Sequence, residues 1–370
     1  MARQPDNLPD LFSDLRAAID AVDDQILDLL NRRAALAGEV ASRKQAAGAG
    51  FYAPARERAI IDRLQDTNPG PFPTGAIRPV FQEVISACLA LEKGVRVAYL
   101  GPEATFTHQA VRRHFGASAQ TLPCGSIAGV FAEVERGAAD FGVVPVENST
   151  EGVVNHTLDS FVDSSLTISA EIQVPVEHCL MARPGTSERD VERVYSHPQA
   201  LAQCRTWLQG NLPRASLVES ASTADAARAA LADHHGAAIA GELAARLYGL
   251  SVLREKMQDA PDNTTRFLAI GRPGEPAPRV AGAEYKTSVL LVLPDTPGSL
   301  FHVLAPLSDA GINLTKIESR PSRRRAWDYV FFLDLDGHAG DPAIAPVLAR
   351  LEASCQLFKV LGSYRKADSR

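Results

Sequence analysis

Apolar residues at Leu15, Ile19, Val22, Ile26, Leu29, Leu30, Leu36, Ala37 and Val40 recur in steps of three and four, the spacing that stacks side chains on one helical face. Ser13 or Asp14 can cap the start of this helix, and Gly48 with Gly50 ends it. Shorter helical patterns follow, so residues 7–93 read as all helix. A helix of about 33 residues runs near 50 Å, too long for two short helices to cover. The pattern therefore predicts a partner for its apolar face, most simply a second copy of the chain.

Beyond residue 94 the period changes. VRVAYL (95–100), DFGVVPV (140–146) and VERVY (191–195) read as strands, each followed by a polar run and then helical sequence. This alternation predicts a two-lobed α/β domain over 95–272. One lobe takes about 95–173 plus a returning stretch near 252–272, the other about 175–250, with Pro175 and Pro184 at the crossing. Residues 272–283, RPGEPAPRVAGA, have linker composition. After them KTSVLLVL, a helix from Gly298, INLTKIES, AWDYVFFLDLD, a helix from Asp341 and CQLFKVLGSY give β-α-β-β-α-β, a ferredoxin-like α+β unit over 284–365.

Composition removes several function classes. The net charge of −6 is spread over both signs, and 45% hydrophobic content supports ordinary cores. No basic face invites nucleic acid. The one basic cluster, Arg320, Arg323, Arg324 and Arg325, reads as a solvated hairpin rather than a phosphate site. Five cysteines, at 88, 124, 179, 204 and 355, show no paired spacing, which fits reduced thiols in a cytoplasmic protein. The start, MARQPDNLPDLF, lacks a basic region followed by an apolar stretch, and no run of about 18 apolar residues occurs. The expectation is a soluble protein without a membrane partner.

Candidate chemistry concentrates in four polar runs: GPEATF (101–106), ENSTEG (147–152), SHPQALAQC (196–204) and NTTRF (263–267). The first three directly follow a predicted strand, where ligands sit in open α/β sheets. They supply Thr105, Glu147, Asn148, Ser149, Thr150, Ser196, His197 and Gln203, and NTTRF adds Asn263, Thr264, Thr265 and Arg266. Neutral hydroxyls and amides dominate, with no metal-ligand spacing, so the lining suits a small polyoxygenated anion. Asn148, Ser149 and Ser196 also suit helix caps, a role compatible with a carboxylate at a helix start. His197, before Pro198, fits a turn; His178, His234 and His235 have no partners at ligand spacing and are expected at the surface or satisfied. In the helical segment Arg33 and Lys44 fall on the apolar stripe, where cations are costly unless anions meet them. They either snorkel or pair with Glu57 or Glu92. Arg16 lies roughly 25 Å along the axis from Arg33, so it reaches such a pocket only from another subunit.

Around NTTRF, residues 95–272 resemble a prephenate dehydratase domain, in which the motif ending Thr-Arg-Phe carries the essential hydroxyl. The resemblance implies decarboxylative dehydration of prephenate without a cofactor, with Thr265 hydrogen bonding to the departing hydroxyl directly or through water. Glu147, Asn148, Ser196 and Gln203 would bind and orient the substrate, with Arg266 a weaker anion partner.

LRAAIDAVDDQILDLLNRRAALAGEVASRK, PARERA and FQEVISACLALEK resemble the all-helical chorismate mutase domain. That implies Arg16 of one chain and Arg33 and Lys44 of the other as clamps on two carboxylates, and Lys44 with a protonated Glu92 as donors to the ether oxygen. Arg56 would support the electrostatics and Glu57 would accept a substrate hydroxyl. Cys88 and Glu92 stand where that family often has Ser and Gln, and Ala53 where some members carry Asp.

The last segment resembles an ACT regulatory domain. Its phenylalanine-site motifs are Gly298-Ser299-Leu300, one small residue away from the commoner Gly-Ala-Leu, and Glu318-Ser319-Arg320-Pro321, with Asn313 and Leu314 as further contacts. Together the three resemblances imply a phenylalanine-controlled bifunctional enzyme without metal or cofactor, acting as a homodimer or a tetramer. Two alternatives stay open at this point: a dehydratase whose helical arm only dimerises, motivated by Ala53 and Cys88, and an amino-acid-binding sensor.

Overall fold

The computed structural model describes residues 12–46, 54–274, 279, 282–321 and 329–367, with the side chains of 45, 54, 55, 92 and 93 excluded. Ala53, Arg323, Arg324 and Arg325 lie outside the described residues, as does the side chain of Glu92.

Three helices form an arm: α1 (Ser13–Ala46), α2 (Pro54–Asp66) and α3 (Thr74–Lys93). Ile61 of α2, Ile77, Ile85 and Cys88 of α3, and Ala41 near the end of α1 are buried. Most of the α1 stripe is exposed: Leu15 and Leu29 are each 63% exposed. The arm docks on the rest of the molecule through polar contacts. Gln82 donates to the His114 carbonyl at 2.8 Å, Arg58 to the Lys366 carbonyl at 2.9 Å, and Arg365 pairs with Asp62 at 2.6 Å. Among the described residues no helix is long and apolar enough to cross a membrane.

The first α/β lobe contains β1 (Arg96–Leu100), α4 (Phe106–Phe115), β2 (Gln120–Cys124), α5 (Ile127–Glu135), β3 (Phe141–Asn148), β4 (Gly152–Val153), α6 (Asn155–Asp163) and β5 (Thr167–Pro175). The second contains β6 (Cys179–Ala182), β7 (Arg193–Ser196), α7 (Pro198–Gln203), α8 (Arg205–Asn211), β8 (Ser216–Glu219), α9 (Thr223–Ala232), β9 (Gly236–Ala240), α10 (Glu242–Tyr248) and β10 (Ser251–Arg254). The chain then returns to the first lobe as β11 (Thr264–Gly271), giving sheet orders β2-β1-β3-β11-β5 and β10-β6-β9-β7-β8. The return begins later than the sequence pattern suggests. Residues 252–254 pair with β6 and close the edge of the second sheet.

The last unit runs β12 (Tyr285–Val292), α11 (Ser299–Asp309), β13 (Leu314–Pro321), β14 (Tyr329–Asp336), α12 (Ala345–Ala353) and β15 (Leu357–Arg365), in sheet order β13-β14-β12-β15. Gly298 precedes α11 with φ +84°, a conformation glycine tolerates. The final helix begins at Ala345 rather than Asp341; residues 341–344 form a turn in which Asp341 accepts the His338 amide through its carboxylate and the Ile344 amide through its carbonyl.

Alternation along these strands explains the packing. Val289, Leu291, Leu333 and Leu335 face α11 and α12. Leu290, Val330, Phe332, Leu361 and Tyr364 face the other way and share one core with Val146, Leu158, Ile168, Leu268 and Ile270 of the first lobe. A Cβ at Gly362 would collide with the Ile168 carbonyl, so β15 comes as close to β5 as a glycine allows.

Candidate active sites

Strands β3 and β11 run antiparallel with Thr265 opposite Asn148. Asn148 Nδ2 donates to Thr265 Oγ1 at 2.9 Å and to Asn263 Oδ1 at 2.8 Å, while its Oδ1 accepts from the amides of Thr150 at 2.9 Å and Glu151 at 3.1 Å. An asparagine side chain offers two donors and two acceptor positions, and all are used. Asn148 therefore organises the site and has nothing left for a ligand. Its bond to Thr265 has a chemical consequence: the Thr265 oxygen accepts, and its own O–H, which meets no described protein acceptor, is left to donate outward. Ser149 ties the same turn to β11, its hydroxyl accepting from the Thr264 amide at 3.0 Å.

The pleat sends the neighbouring residues the other way. Glu147 and Arg266, expected in the cleft, face the ferredoxin-like sheet instead. Arg266 lies 2.8 Å from both Glu171 and Asp334 and 3.6 Å from Glu147, and donates to the Tyr364 hydroxyl at 3.1 Å. Lys316 reaches Glu147 at 2.8 Å and Lys286 reaches Glu171 at 2.7 Å. Cations Arg266, Lys286 and Lys316 thus meet carboxylates Glu147, Glu171 and Asp334 between the two sheets. Burial alone would push the Glu171 carboxyl up, yet Arg266 and Lys286 hold it below its ordinary value.

The second lobe brings its own polar groups. Ser196 is fully buried and spends its hydroxyl hydrogen on the Ile239 carbonyl at 2.6 Å, so it is not an open donor. Gln203, at the end of α7, donates through Nε2 to Glu151 at 2.8 Å, and its Oε1 lies 2.8 Å from His178 Nε2. His178 is buried edge-on against Phe106, and burial lowers its pKa. The neutral ring donates through Nε2, which turns the Gln203 NH₂ outward. Gln199 also donates to Glu151. His197 caps α7 by accepting from the Gln199 amide, and Thr105 caps α4. Glu151 and Gln199 lie within the ENSTEG and SHPQALAQC runs but were not singled out there, whereas His178, expected at the surface or satisfied, is buried and satisfied by Gln203. The four-residue spacing of Gln199 and Gln203, which puts both amides on one helix face, was the available signal for two of the partners.

In the helical arm, Arg33 donates to the Cys88 sulfur at 2.9 Å. Burial pushes the Glu57 carboxyl up to about 8, although Arg33 and Lys44 pull it back. The fold thus brings Arg33, Lys44, Glu57 and Cys88 together. Arg56, at the start of α2, is exposed. Arg16 is exposed at the far end of α1 and does not join them within one chain.

In the ferredoxin-like sheet, Arg320 lies opposite Val330, itself one strand from Val292. The chain leading from β12 to Gly298, Ser299 and Leu300 therefore leaves the end of the sheet that carries Glu318 to Pro321. Ser299 caps this turn on the Thr296 carbonyl at 2.8 Å. Asn313 bonds to Asp336 at 3.0 Å, and with Leu314 it sits at the other end of β13, roughly 23 Å away. Lys316, Glu318 and Arg320 share the face turned to the α/β lobe. Arg320 is paired with Asp159 of α6 at 3.3 Å, so its expected effector contact is occupied by a carboxylate of that lobe.

Family models match in the same order: chorismate mutase type II over residues 15–93, prephenate dehydratase over 97–275 and ACT domain over 287–353. A bifunctional chorismate mutase/prephenate dehydratase of Aquifex aeolicus is 48% identical over 360 residues, 96% of this chain and 98% of that protein. That of Stutzerimonas stutzeri is 46% identical over 363 residues, 97% and 98% of the two chains. Among solved structures, a prephenate dehydratase from Arthrobacter aurescens in complex with L-Phe is similar with a TM-score of 0.69 and 40% identity, covering 75% of this chain and 92% of that one.

Proposed function

The chain belongs to the family of bifunctional chorismate mutase/prephenate dehydratases, and from that premise we propose how its residues divide the work. The enzyme rearranges chorismate to prephenate and converts prephenate to phenylpyruvate, under feedback control by phenylalanine.

The observation that carries the dehydratase assignment is the Asn148–Thr265 bond. In the reaction the bond from the ring to its carboxylate breaks, CO₂ leaves, and the electron pair enters the ring as the ring hydroxyl departs. That hydroxyl takes a proton, ultimately from solvent, and leaves as water. A threonine is a weak acid, but a hydrogen bond from it to the departing oxygen strengthens as negative charge develops there. Asn148 presents the Thr265 O–H for that purpose, and the outward-turned amide of Gln203 takes a substrate carboxylate. Ser196 supports the cleft from below.

The mutase reaction is pericyclic and needs no nucleophile, only a compact substrate geometry and donors at the ether oxygen. Arg33 and Lys44 hold chorismate, with Cys88 beside Arg33 and Arg56 adding positive potential. Lys44 and Glu92 donate to the ether oxygen. Glu57, neutral below about pH 8, meets the substrate hydroxyl without adding negative charge to a pocket that takes two carboxylates. Arg16 of a second copy completes it, which the uncovered α1 face favours. Mixing Arg16→Ala with Lys44→Ala protein should restore mutase activity, because a heterodimer keeps one pocket free of both lesions. No recovery after proven subunit exchange would reject the shared pocket.

Phenylalanine binds at the Gly298–Leu300 and Glu318–Pro321 end of the ACT sheet, with Asn313 and Leu314 supplied by another copy. Lys316 on the same strand carries the response to Glu147, whose neighbour Asn148 holds Thr265.

A further inference from the structure

Glu151 bridges the two lobes of the dehydratase cleft. It lies in the turn between β3 and β4 of the first lobe, with its amide fixed by Asn148. Its carboxylate accepts from Gln203 and Gln199 on α7 of the second. The glutamines are four apart on one helical face. Gln203 cannot turn its carbonyl to the cleft while His178 donates to it. Two oriented N–H donors therefore converge on a carboxylate, and the substrate of this cleft is a dicarboxylate.

We propose that Gln199 and Gln203 form a carboxylate subsite for prephenate for which Glu151 is an internal competitor, latching the lobes together until the substrate displaces it. This rests on reading the cleft as the dehydratase site. Glu–Gln contacts at a surface contribute little to stability, and the latch has no need to be strong. Its effect is on binding: a ligand that must displace an internal competitor has its apparent affinity reduced to the fraction of time the subsite is free. The displaced carboxylate also lies near a dianion, which favours its turn moving away. Gln199, on this account, recognises substrate and is not merely a surface residue of α7.

The test is prephenate kinetics on full-length Glu151→Ala and Gln199→Ala proteins, with the mutase rate of each preparation as the control for folding. Removing Glu151 should lower KM about three- to tenfold while kcat stays within the same order. Removing Gln199 should raise KM, and adding Glu151→Ala to that variant should lower it again, because Glu151 also accepts from Gln203. An unchanged or raised KM in Glu151→Ala would overturn the latch. So would a hundredfold loss of kcat, which would put Glu151 at the reacting atoms. The underlying reading fails separately, if Thr265→Ala protein keeps full dehydratase turnover.

Discussion

Single hydrogen bonds decide what the candidate residues can do. Asn148 donates to Thr265, so Asn148→Asp, nearly identical in shape, should reverse the polarity of that bond: the carboxylate accepts the Thr265 hydrogen and withdraws it from the substrate. Dehydratase kcat should fall by about a hundredfold or more, the order seen when one preorganised donor is lost. Thr265→Val should fall similarly and Thr265→Ser should keep most activity; an active Asn148→Asp enzyme would refute the role. Glu57 is the second residue whose state matters. Its folded pKa, about 8, lies above the unfolded value of 4.5, so its contribution to stability is fully present below pH 4.5 and is lost as pH rises towards 8. Thermal melts of the arm across that window should show the loss, and mutase activity should decline through about pH 8. Glu57→Gln should flatten both curves; identical wild-type and variant profiles would make Glu57 a spectator. The sequence made NTTRF and ENSTEG visible as polar runs but did not reveal that Asn148 is saturated, because that depends on two loop amides folding back onto it.

At the scale of elements, β11 does two jobs on two faces. Thr265 faces the cleft and Arg266 the ACT sheet, and the pleat alone separates them. The sequence reading grouped both as ligand contacts because alternation assigns faces only once the covering layers are known. Arg266→Ala should take from Asp334 the cation it pairs with and leave Glu171 to Lys286 alone, at a cost of about 3–5 kcal/mol, read as a fall in melting temperature. A rise in KM without loss of stability would return Arg266 to the substrate. Lys316 tests the link between the domains. Lys316→Ala should still bind phenylalanine by calorimetry, while dehydratase activity becomes less sensitive to it, since coupling requires both sites to bias the same element. Undiminished inhibition would show that the signal passes elsewhere.

Across the whole molecule, the order of architectures was legible from period alone: helical steps of three and four, strand–helix alternation, then β-α-β-β-α-β. The interfaces were not. Val330, Phe332 and Leu333 show that β14 is covered on both sides, but not that the α/β lobe covers one of them. The long α1 stripe did predict its own exposure within one chain, and that exposure is what the shared mutase pocket requires. The central claim is that two separate sites act in succession on one chain. Its most direct test is product analysis at neutral pH after giving chorismate to Thr265→Ala protein. Chorismate should disappear at the wild-type rate and accumulate as prephenate, with no phenylpyruvate formed; phenylpyruvate at the wild-type rate, or a folded protein that no longer consumes chorismate, would contradict the account.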